Sequence, residues 1–185
     1  YRLYFTQTSI ISIDVNPSME LNINRFGRVI SVSGFNEDGS RLADKVDIRF
    51  MDYVSAVDEI LNTNSIALYL SLDEMVSISV VGRDERESRK MLADIEACFP
   101  DKKNVCCYMG SFDEADAAHL AGLSFGKYCA FLELQEVDPD VTADDVKGLT
   151  MRQIRERIGA CGGGTCGENT GDCGYGRGHR HRRRT

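Results

Sequence analysis

The sequence contains no long hydrophobic run and few histidines, and each absence excludes a class of protein. No stretch of its 185 residues approaches the roughly 20 apolar residues of a membrane-spanning helix. We therefore expect no membrane span within these residues. The only histidines are His119, His179 and His181, which leaves a hydrolytic triad without a suitably placed base.

The scarcity of histidine decides how one motif is interpreted. Gly122-Leu-Ser-Phe-Gly126 fits the G-x-S-x-G nucleophile elbow of α/β-hydrolases, which requires a strand running into the motif and a later acid and histidine. A helix is expected before this motif, and neither downstream histidine lies in folded sequence. We therefore predict that Ser124 caps the next helix and is not a nucleophile. His119 is predicted to be an ordinary helix-surface or semi-buried residue.

The seven cysteines match no standard zinc-binding spacing. Four of them occupy apolar positions of predicted helices or strands and are expected in the core: Cys98, Cys106, Cys107 and Cys129. The other three, Cys161, Cys166 and Cys173, lie in a glycine-rich segment, where a soft-metal or disulfide role with His179 and His181 is the alternative to a plain linker. We treat this segment as a linker and expect no metal and no cofactor.

Charge is distributed unevenly along the chain. The net charge is −7 although five arginines lie beyond residue 176, so the rest of the chain is strongly acidic. An acidic body argues against nucleic-acid binding, because phosphate backbones are bound by lysine and arginine. The basic end, RGHRHRRRT (residues 177–185), could contact phosphates, lipid head groups or anionic wall polymers, and is more simply a disordered, solvated end.

Hydrophobic periodicity predicts a single α+β domain followed by a tail. Strands are predicted over residues 2–14, 18–24, 29–35, 75–81 and 105–109, and turns over residues 24–27 and 36–39. Helices are predicted over residues 53–61, 85–98, 111–120 and 127–135, with a last short helix from Thr150 to Gly159. Capping residues support several of these helix starts: Asp52, the pair Ser111 and Glu114, and the pair Thr150 and Gln153. We expect an antiparallel sheet with helices packed on one face, and a disordered tail rich in Gly, Cys and Arg.

The strongest strand signal is a strict period of two from Ile11 to Asn24. The odd positions, apart from Pro17, are aliphatic or Met and the even positions are polar, as in a strand with one buried and one solvent-facing side. Pro17 interrupts the run, because proline cannot donate to a strand ladder. The pattern predicts that Ile11, Ile13 and Val15 are buried and that Ser12, Asp14, Asn16 and Ser18 face solvent.

The break at Asn16-Pro17 suggests a reaction. An asparagine usually decays when the next backbone nitrogen attacks its side chain, but Pro17 has no N–H. In the remaining route the Asn16 carboxamide nitrogen attacks the Asn16 carbonyl, closes a succinimide and expels the Pro17 nitrogen. Asp14 and Ser18, two residues away on either side of Asn16, are the candidate proton relay. The plain alternative is a turn dipeptide beside a solvated strand face.

Residues 12–39, SIDVNPSMELNINRFGRVISVSGFNEDG, combine the patterns V/I-N-P-S-x-E-L, N-R-F/L-x-R-V-I and N-x-D-G. This stretch resembles the middle domain of RsgI-like anti-sigma factors. Gly122 to Lys127, followed by residues 128–137 and by DVKGLTMRQIRERI (residues 145–158), is similar to the helical end of that domain. The resemblance covers about residues 8–158. The domain is therefore expected to occupy residues 1–158, and the low-complexity tail residues 159–185.

The resemblance implies an extracytoplasmic signalling domain of a membrane-anchored regulator. In that family a cytoplasmic segment binds a sigma factor, one transmembrane helix follows, and the outer domain cleaves itself between the Asn and Pro of V-N-P-S, here Asn16-Pro17. The cytoplasmic segment and the membrane helix are expected to lie outside this chain, and a cell-wall polysaccharide is one conceivable stimulus. Any catalysis would be a single self-cleavage. The alternative is an uncleaved extracellular ligand-binding or structural module.

Overall fold

The computed structural model describes residues 3–72, 74–99 and 104–161. These residues form a five-stranded sheet with helices, which confirms the predicted α+β class. The strands are β1 (Gln7–Asp14), β2 (Ser18–Asn24), β3 (Val29–Gly34), β4 (Val76–Gly82) and β5 (Val105–Gly110). Their order is β3-β2-β1-β4-β5, and all neighbours are antiparallel except β4 and β5, which are parallel. The sheet is mixed because helix α4 (Glu85–Glu96) connects β4 to β5 and returns the chain to the end of the sheet where β4 begins. The two strands therefore run in the same direction.

Eight helices accompany the sheet in the part of the chain that the structure describes. They are α1 (Glu37–Ala43), α2 (Tyr53–Leu61), α3 (Asn64–Ser71), α4 (Glu85–Glu96), α5 (Phe112–Leu120), α6 (Phe125–Val137), α7 (Ala143–Lys147) and α8 (Met151–Ala160). None of them combines the length and the apolar composition needed to cross a membrane. Beyond Cys161 the predicted tail lies outside the described residues.

The helix predictions succeed where capping residues mark the starts. α2 has the predicted bounds, and the caps at Asp52, Ser111 and Thr150 are each present. The sequence pattern did not predict α1, α3 or α7. The turn predicted over residues 36–39 is instead the N-cap and first turn of α1, with the Asn36 side chain accepting from the Gly39 N–H. Asparagine and glycine favour turns, but both also occur at helix starts.

Strand β1 lies in the middle of the sheet. It pairs antiparallel with β2 on one side and with β4 on the other. Ile11 and Ile13 are fully buried and Val15 is 4% exposed, which confirms the burial predicted for these residues. The strand begins at Gln7 and not at residue 2, and the chain turns over residues 15–17 into β2. The period of two therefore runs through both strands of a hairpin.

The polar side of this hairpin is buried, so the prediction that Ser12, Asp14 and Ser18 face solvent is wrong. These residues and Glu20 are between 0% and 3% exposed. Helix α6 contacts β1 and β4, while α2 and α4 contribute to the core around Ile11 and Ile13. Helices thus cover both faces of the sheet, where the sequence predicted one covered face. Alternation reports which side of a strand is polar, but not whether that side meets water or a helix.

A glycine allows α6 to approach the sheet closely. A Cβ at Gly126 would lie 2.5 Å from Asp14 Oδ2 and 2.5 Å from Ser77 Oγ, closer than real Cβ atoms come. Asp14 and Ser77 are register partners on β1 and β4. The start of α6 therefore rests directly on polar residues of the two central strands.

Exchange of Gly126 for alanine tests this close approach. Alanine normally stabilises a helix relative to glycine by roughly 0.5–1 kcal/mol. For Gly126→Ala we expect the opposite, a loss of about 1–3 kcal/mol, because the methyl group must displace α6 from Asp14 and Ser77. Gly159→Ala in α8 is the matched control, since nothing lies within 4 Å of its Cβ position. Urea unfolding should give opposite signs for the two variants, and a stabilised Gly126→Ala protein would contradict the packing.

Candidate functional site

The Asn16-Pro17 bond lies in a short loop between β1 and β2. Asp14 and Ser18 are the last paired residues of the hairpin, and residues 15–17 connect them. The Val15 N–H donates to the Pro17 carbonyl oxygen across 3.4 Å. Because Pro17 lies in the loop, its missing N–H interrupts no strand ladder. The proline that breaks the alternating pattern thus sits where the chain reverses direction.

The Asn16 side chain is held at both ends of its carboxamide. Its Oδ1 accepts a hydrogen bond from Asn36 Nδ2 at 2.9 Å, and its Nδ2 donates to the Tyr69 hydroxyl at 3.4 Å. Asn36 is the N-cap of α1 and Tyr69 lies in α3, the two helices before β4 that the sequence did not predict. The hydrogen bonds orient the amide, with the oxygen towards one helix and the nitrogen towards the other.

Asn36 is itself fixed by the surrounding backbone. Its Oδ1 accepts from the Ser18 N–H at 3.2 Å and from the Gly39 N–H at 2.7 Å. Gly39 allows α1 to come this close, because a Cβ there would lie 2.0 Å from the Ser18 carbonyl oxygen. Since the Asn36 oxygen is used by two backbone groups, its NH₂ group faces Asn16. The orientation of the Asn16 amide therefore follows from the cap of α1.

Asp14 has a different set of partners. Its carboxylate accepts hydrogen bonds from Ser12 Oγ at 2.9 Å and from Ser124 Oγ at 2.5 Å. Burial raises the pKa of the Asp14 carboxyl, while the bonds from Ser124 and Ser12 act in the lowering direction. The net effect is a pKa higher than that of a carboxyl group in water. Ser124 begins α6 as predicted, but its hydroxyl binds Asp14 and makes no cap bond to the helix backbone, which corrects the capping prediction.

The structure brings together only part of the predicted proton relay. Asp14 and Ser18 are paired across the hairpin, so their side chains lie on the same face. The Asn16 carboxamide is directed to Asn36 and Tyr69 and not to Asp14. Among the described residues the buried Ser18 hydroxyl has no hydrogen-bond partner. The polar groups near the loop therefore form two sets. One consists of the Asn16 carboxamide with Asn36 and Tyr69, and the other consists of Asp14 and Ser18 on the polar face of the hairpin.

A layer of buried hydroxyl groups lies under the start of α6. Ser77 and Ser79 on β4 are register partners of Asp14 and Ser12 on β1. Both hydroxyls are fully buried and find no hydrogen-bond partner in the described part of the chain. Each such group costs roughly 1–3 kcal/mol of desolvation, and native proteins contain few of them. The polar composition of this layer therefore opposes stability and calls for another explanation.

A second buried carboxylate joins β2 to the helices. Glu20 Oε2 lies 2.8 Å from His119 Nε2, and Glu20 Oε1 accepts from the Phe125 N–H at 2.9 Å. The hydrogen bond to Glu20 raises the pKa of His119, against a lowering effect of burial. His119 lies on α5 with its side chain 36% exposed, as predicted for a helix-surface or semi-buried residue, but the sequence did not predict its contact with Glu20 or name Glu20 as a site residue. Glu20 had two signals: it is an acid in an alternating run, which a solvated strand face explains equally well, and it is the E of the V/I-N-P-S-x-E-L pattern.

None of the five cysteines that the structure describes makes a hydrogen bond to the residues of this site. Within residues 3–72, 74–99 and 104–161 no three or more potential metal-ligating side chains come together. Cys106 and Cys129 are buried as predicted, whereas Cys98 and Cys107 are half-buried. Cys161 is exposed at the end of α8. The other residues of the metal or disulfide alternative, Cys166, Cys173, His179 and His181, lie outside the described residues.

Three anti-sigma-I factors of Acetivibrio thermocellus are similar to this chain. RsgI9 is 29% identical over 167 residues, which are 83% of this chain and 24% of that protein. RsgI5 is 25% identical over 160 residues, 78% of this chain and 33% of that protein. RsgI7 is 24% identical over 160 residues, 81% of this chain and 29% of that protein. The chain thus spans about a quarter to a third of the length of these relatives.

A family model also matches the part of the chain that carries the site. The model describes the anti-sigma factor RsgI-like central domain and matches residues 8–133. These residues include Asn16 and Pro17, the Asn36 and Tyr69 that orient the amide, and Ser124. Because the match covers well over half of the 185 residues, the chain belongs to the family of anti-sigma factor RsgI-like central domains.

Proposed function

We propose that this domain is the extracytoplasmic signalling domain of a membrane-anchored anti-sigma factor, and that it cleaves itself once at Asn16-Pro17. Membership of the family supports the anti-sigma role. The observation that carries self-cleavage is the orientation of the Asn16 carboxamide, whose oxygen accepts from Asn36 and whose nitrogen is directed to Tyr69. This held amide stands directly before a residue that has no N–H.

The proposed reaction is an internal exchange of amides. Asn16 Nδ2 forms a bond to the backbone carbonyl carbon of Asn16, and the bond from that carbon to the Pro17 nitrogen breaks. Nδ2 loses one proton and the Pro17 nitrogen gains one, so neither water nor a cofactor is consumed. The products are a short piece that ends in a succinimide at residue 16 and a long piece that begins with Pro17.

Asn36 and Tyr69 prepare the attacking nitrogen. A hydrogen bond donated to the Asn16 oxygen draws electron density from the amide and makes its N–H more acidic. The Tyr69 hydroxyl accepts from that N–H and can relay the leaving proton by releasing its own hydroxyl proton to solvent. Holding the amide in one orientation also removes the conformational entropy that the side chain would otherwise lose on reaching the reactive geometry. This saving is a large part of the advantage of intramolecular reactions.

Ser18 and Asp14 serve the leaving nitrogen. Ser18 directly follows Pro17, and its buried hydroxyl has no other partner among the described residues. It is the donor that we assign to the Pro17 nitrogen. Asp14 is paired with Ser18 and is shifted towards its acid form by burial, so it can replace the proton that Ser18 gives up.

The two pieces stay joined after cleavage because β1 is a central strand. It pairs with β2 and β4, and both of these strands belong to the piece that begins with Pro17. Ile11 and Ile13 are fully buried in the core that α2 and α4 help to form. The hydrogen bond from Ser124 to Asp14 adds a link near the cut end. Release therefore requires two ladders and a hydrophobic face to separate together.

Separation of the two pieces carries the signal in this proposal. In the full-length protein the short piece would remain with the membrane anchor, and force or a ligand such as a cell-wall polysaccharide would remove the long piece. The exposed stub would then be degraded and the sigma factor released. The second candidate is an uncleaved extracellular ligand-binding or structural module, in which the bonds from Asn36 and Tyr69 to Asn16 serve only to brace the hairpin loop.

Asn16→Ala should abolish self-cleavage because it deletes the attacking nitrogen. The change removes two hydrogen bonds from a partly exposed loop, so the free energy of unfolding should fall by no more than about 1–2 kcal/mol. Denaturing mass spectrometry of the wild type should give two masses, the short one lighter by one water than the corresponding free acid. The variant should give a single mass near 20.6 kDa.

Asn22→Ala is the matched control for this experiment. Asn22 also donates from its carboxamide, to Ser31 Oγ at 2.8 Å, and lies in the same hairpin. The control protein should be cleaved like the wild type. A Pro17 amino terminus in the Asn16→Ala protein, or a wild type that stays intact, would exclude the proposed chemistry and favour the uncleaved module.

Asn36→Asp separates the orientation of the amide from folding. Aspartate keeps an oxygen for the Ser18 and Gly39 N–H groups and is an equally good N-cap, but it has no N–H to donate to Asn16. We expect cleavage to slow by about 10–100-fold, because the amide is no longer oriented. The urea midpoint should stay close to that of the wild type. A time course after cell-free synthesis measures the rate, and equal rates would rule out Asn36 as a positioning residue.

Ile13→Ala tests the retention of the short piece. The cleaved wild-type pieces should elute together in buffer and separate only in urea. Loss of the buried side chain should weaken their association by about 2–5 kcal/mol, so the variant pieces should separate at lower urea. Gln7→Ala, at the half-buried start of the same strand, should have little effect. Wild-type pieces that separate in buffer alone would show that strand pairing does not retain the short piece.

A further inference from the structure

A cluster of four aromatic rings, three of them exposed and one half-buried, lies at the end of the sheet opposite to the Asn16-Pro17 loop. The rings belong to Tyr4 and Phe5 before β1, Phe26 in the turn between β2 and β3, and Phe50 before α2. Neighbouring ring centroids are 5.5–6.1 Å apart. Phe5, Phe26 and Phe50 are each 45–57% exposed. We call these four residues the aromatic end.

The backbone holds the aromatic end in place. Asn24 is buried, donates from Nδ2 to the Tyr4 carbonyl oxygen at 2.8 Å, and accepts at Oδ1 from the Phe26 N–H at 2.9 Å. Phe50 has a φ of +67°, in the left-handed region where a bulky residue is strained. Backbone strain of this kind normally persists only where the surrounding structure imposes it, and such positions cluster at functional sites. An exposed phenylalanine ring in such a conformation is not explained by core packing.

Arginines flank the rings. The guanidinium carbons of Arg25 and Arg49 lie 5.6 Å from the ring centroids of Phe26 and Phe50 respectively. Cations are thus concentrated beside apolar rings in a protein whose net charge is −7. This combination is complementary to an anionic lipid surface, because rings enter the boundary of the acyl region while guanidinium groups remain at the phosphates.

We infer that the aromatic end rests on the head-group surface of an anionic bilayer. The inference rests on the membrane anchoring in the proposed function, and it supplies that function with a contact surface in the folded domain. Any segment that precedes residue 3 joins the domain at this end, next to Tyr4 and Phe5. From there β1 leads away from the bilayer to the cleavage loop, over roughly 25 Å at the rise of an extended strand.

Two other occupants fit the aromatic end less well. A sugar-binding platform presents its rings in one plane, but only Tyr4 and Phe26 are close to parallel, at 28°. The other neighbouring rings are inclined by 45–77°. A second copy of the chain would bring two arginine-flanked surfaces together, and like charges repel. An anionic surface meets neither objection.

Sedimentation of the 185-residue protein with vesicles tests the inference. We expect binding to phosphatidylcholine vesicles that contain phosphatidylglycerol, and weaker binding to phosphatidylcholine alone, because the arginines need anionic phosphates. Phe50→Gly should lower the partition coefficient by roughly fivefold or more, through loss of one inserted ring. Glycine also relieves the positive φ, so the thermal midpoint of this variant should be unchanged or higher. Lost binding is thereby separated from lost folding.

Leu120→Ser is the matched control, because Leu120 is 91% exposed on α5, outside the aromatic end. It should bind like the wild type. The basic tail is present in every sample and so produces no difference between variants. Equal binding of Phe50→Gly and wild type would overturn the inference. It would also be overturned if neither protein bound vesicles and the wild type formed a dimer that the Phe50→Gly change dissociates. Mass spectrometry of the same samples follows self-cleavage independently, so a failure of that proposal would leave the lipid result standing.

Discussion

The central position of β1 is the constraint on which the rest of the structure depends. This strand forms antiparallel ladders with β2 and β4 and buries Ile11 and Ile13 completely. The loop at its end therefore has little freedom, since both strands of the hairpin belong to the rigid middle of the sheet. A reactive amide in such a loop can be oriented precisely by a small number of contacts. The same pairing can also hold a short piece without a covalent bond, because main-chain hydrogen bonds do not require chain continuity.

The polar side of the hairpin shows a second feature that stability alone would not favour. Asp14 and the hydroxyls of Ser77 and Ser79 are buried beneath α6, and the two serine hydroxyls lack hydrogen-bond partners among the described residues. Apolar residues would pack there at lower cost. Gly126 is required so that the helix can come close to this layer. A polar layer kept at the end of the strand that leads to Asn16 is consistent with a need to move protons there.

The two ends of β1 carry different surfaces. At one end the Asn16 amide lies between Asn36 and Tyr69, and at the other end exposed rings are held by the buried Asn24. In the proposed function one end faces the bilayer and the other holds the scissile bond. Under that proposal, a pull from the membrane side would act along β1 directly on the two ladders that retain it. In the proposed function, attachment, retention and cleavage would therefore all lie along one short segment of chain.

The sequence by itself determined the α+β class, the burial of Ile11, Ile13 and Val15 and the capped helices, and it singled out Asn16-Pro17 as the candidate site. Each of these depends on neighbouring residues: a period of two, a cap three residues before its partner, a proline without an N–H. Only the tertiary structure decided that the polar side of the hairpin is buried, that Ser124 binds Asp14 and that Asn36 and Tyr69 orient Asn16. Those contacts join residues 20 to 110 positions apart. A local pattern contains no information about which distant helix will cover a strand, because packing against that helix is decided by the whole chain at once.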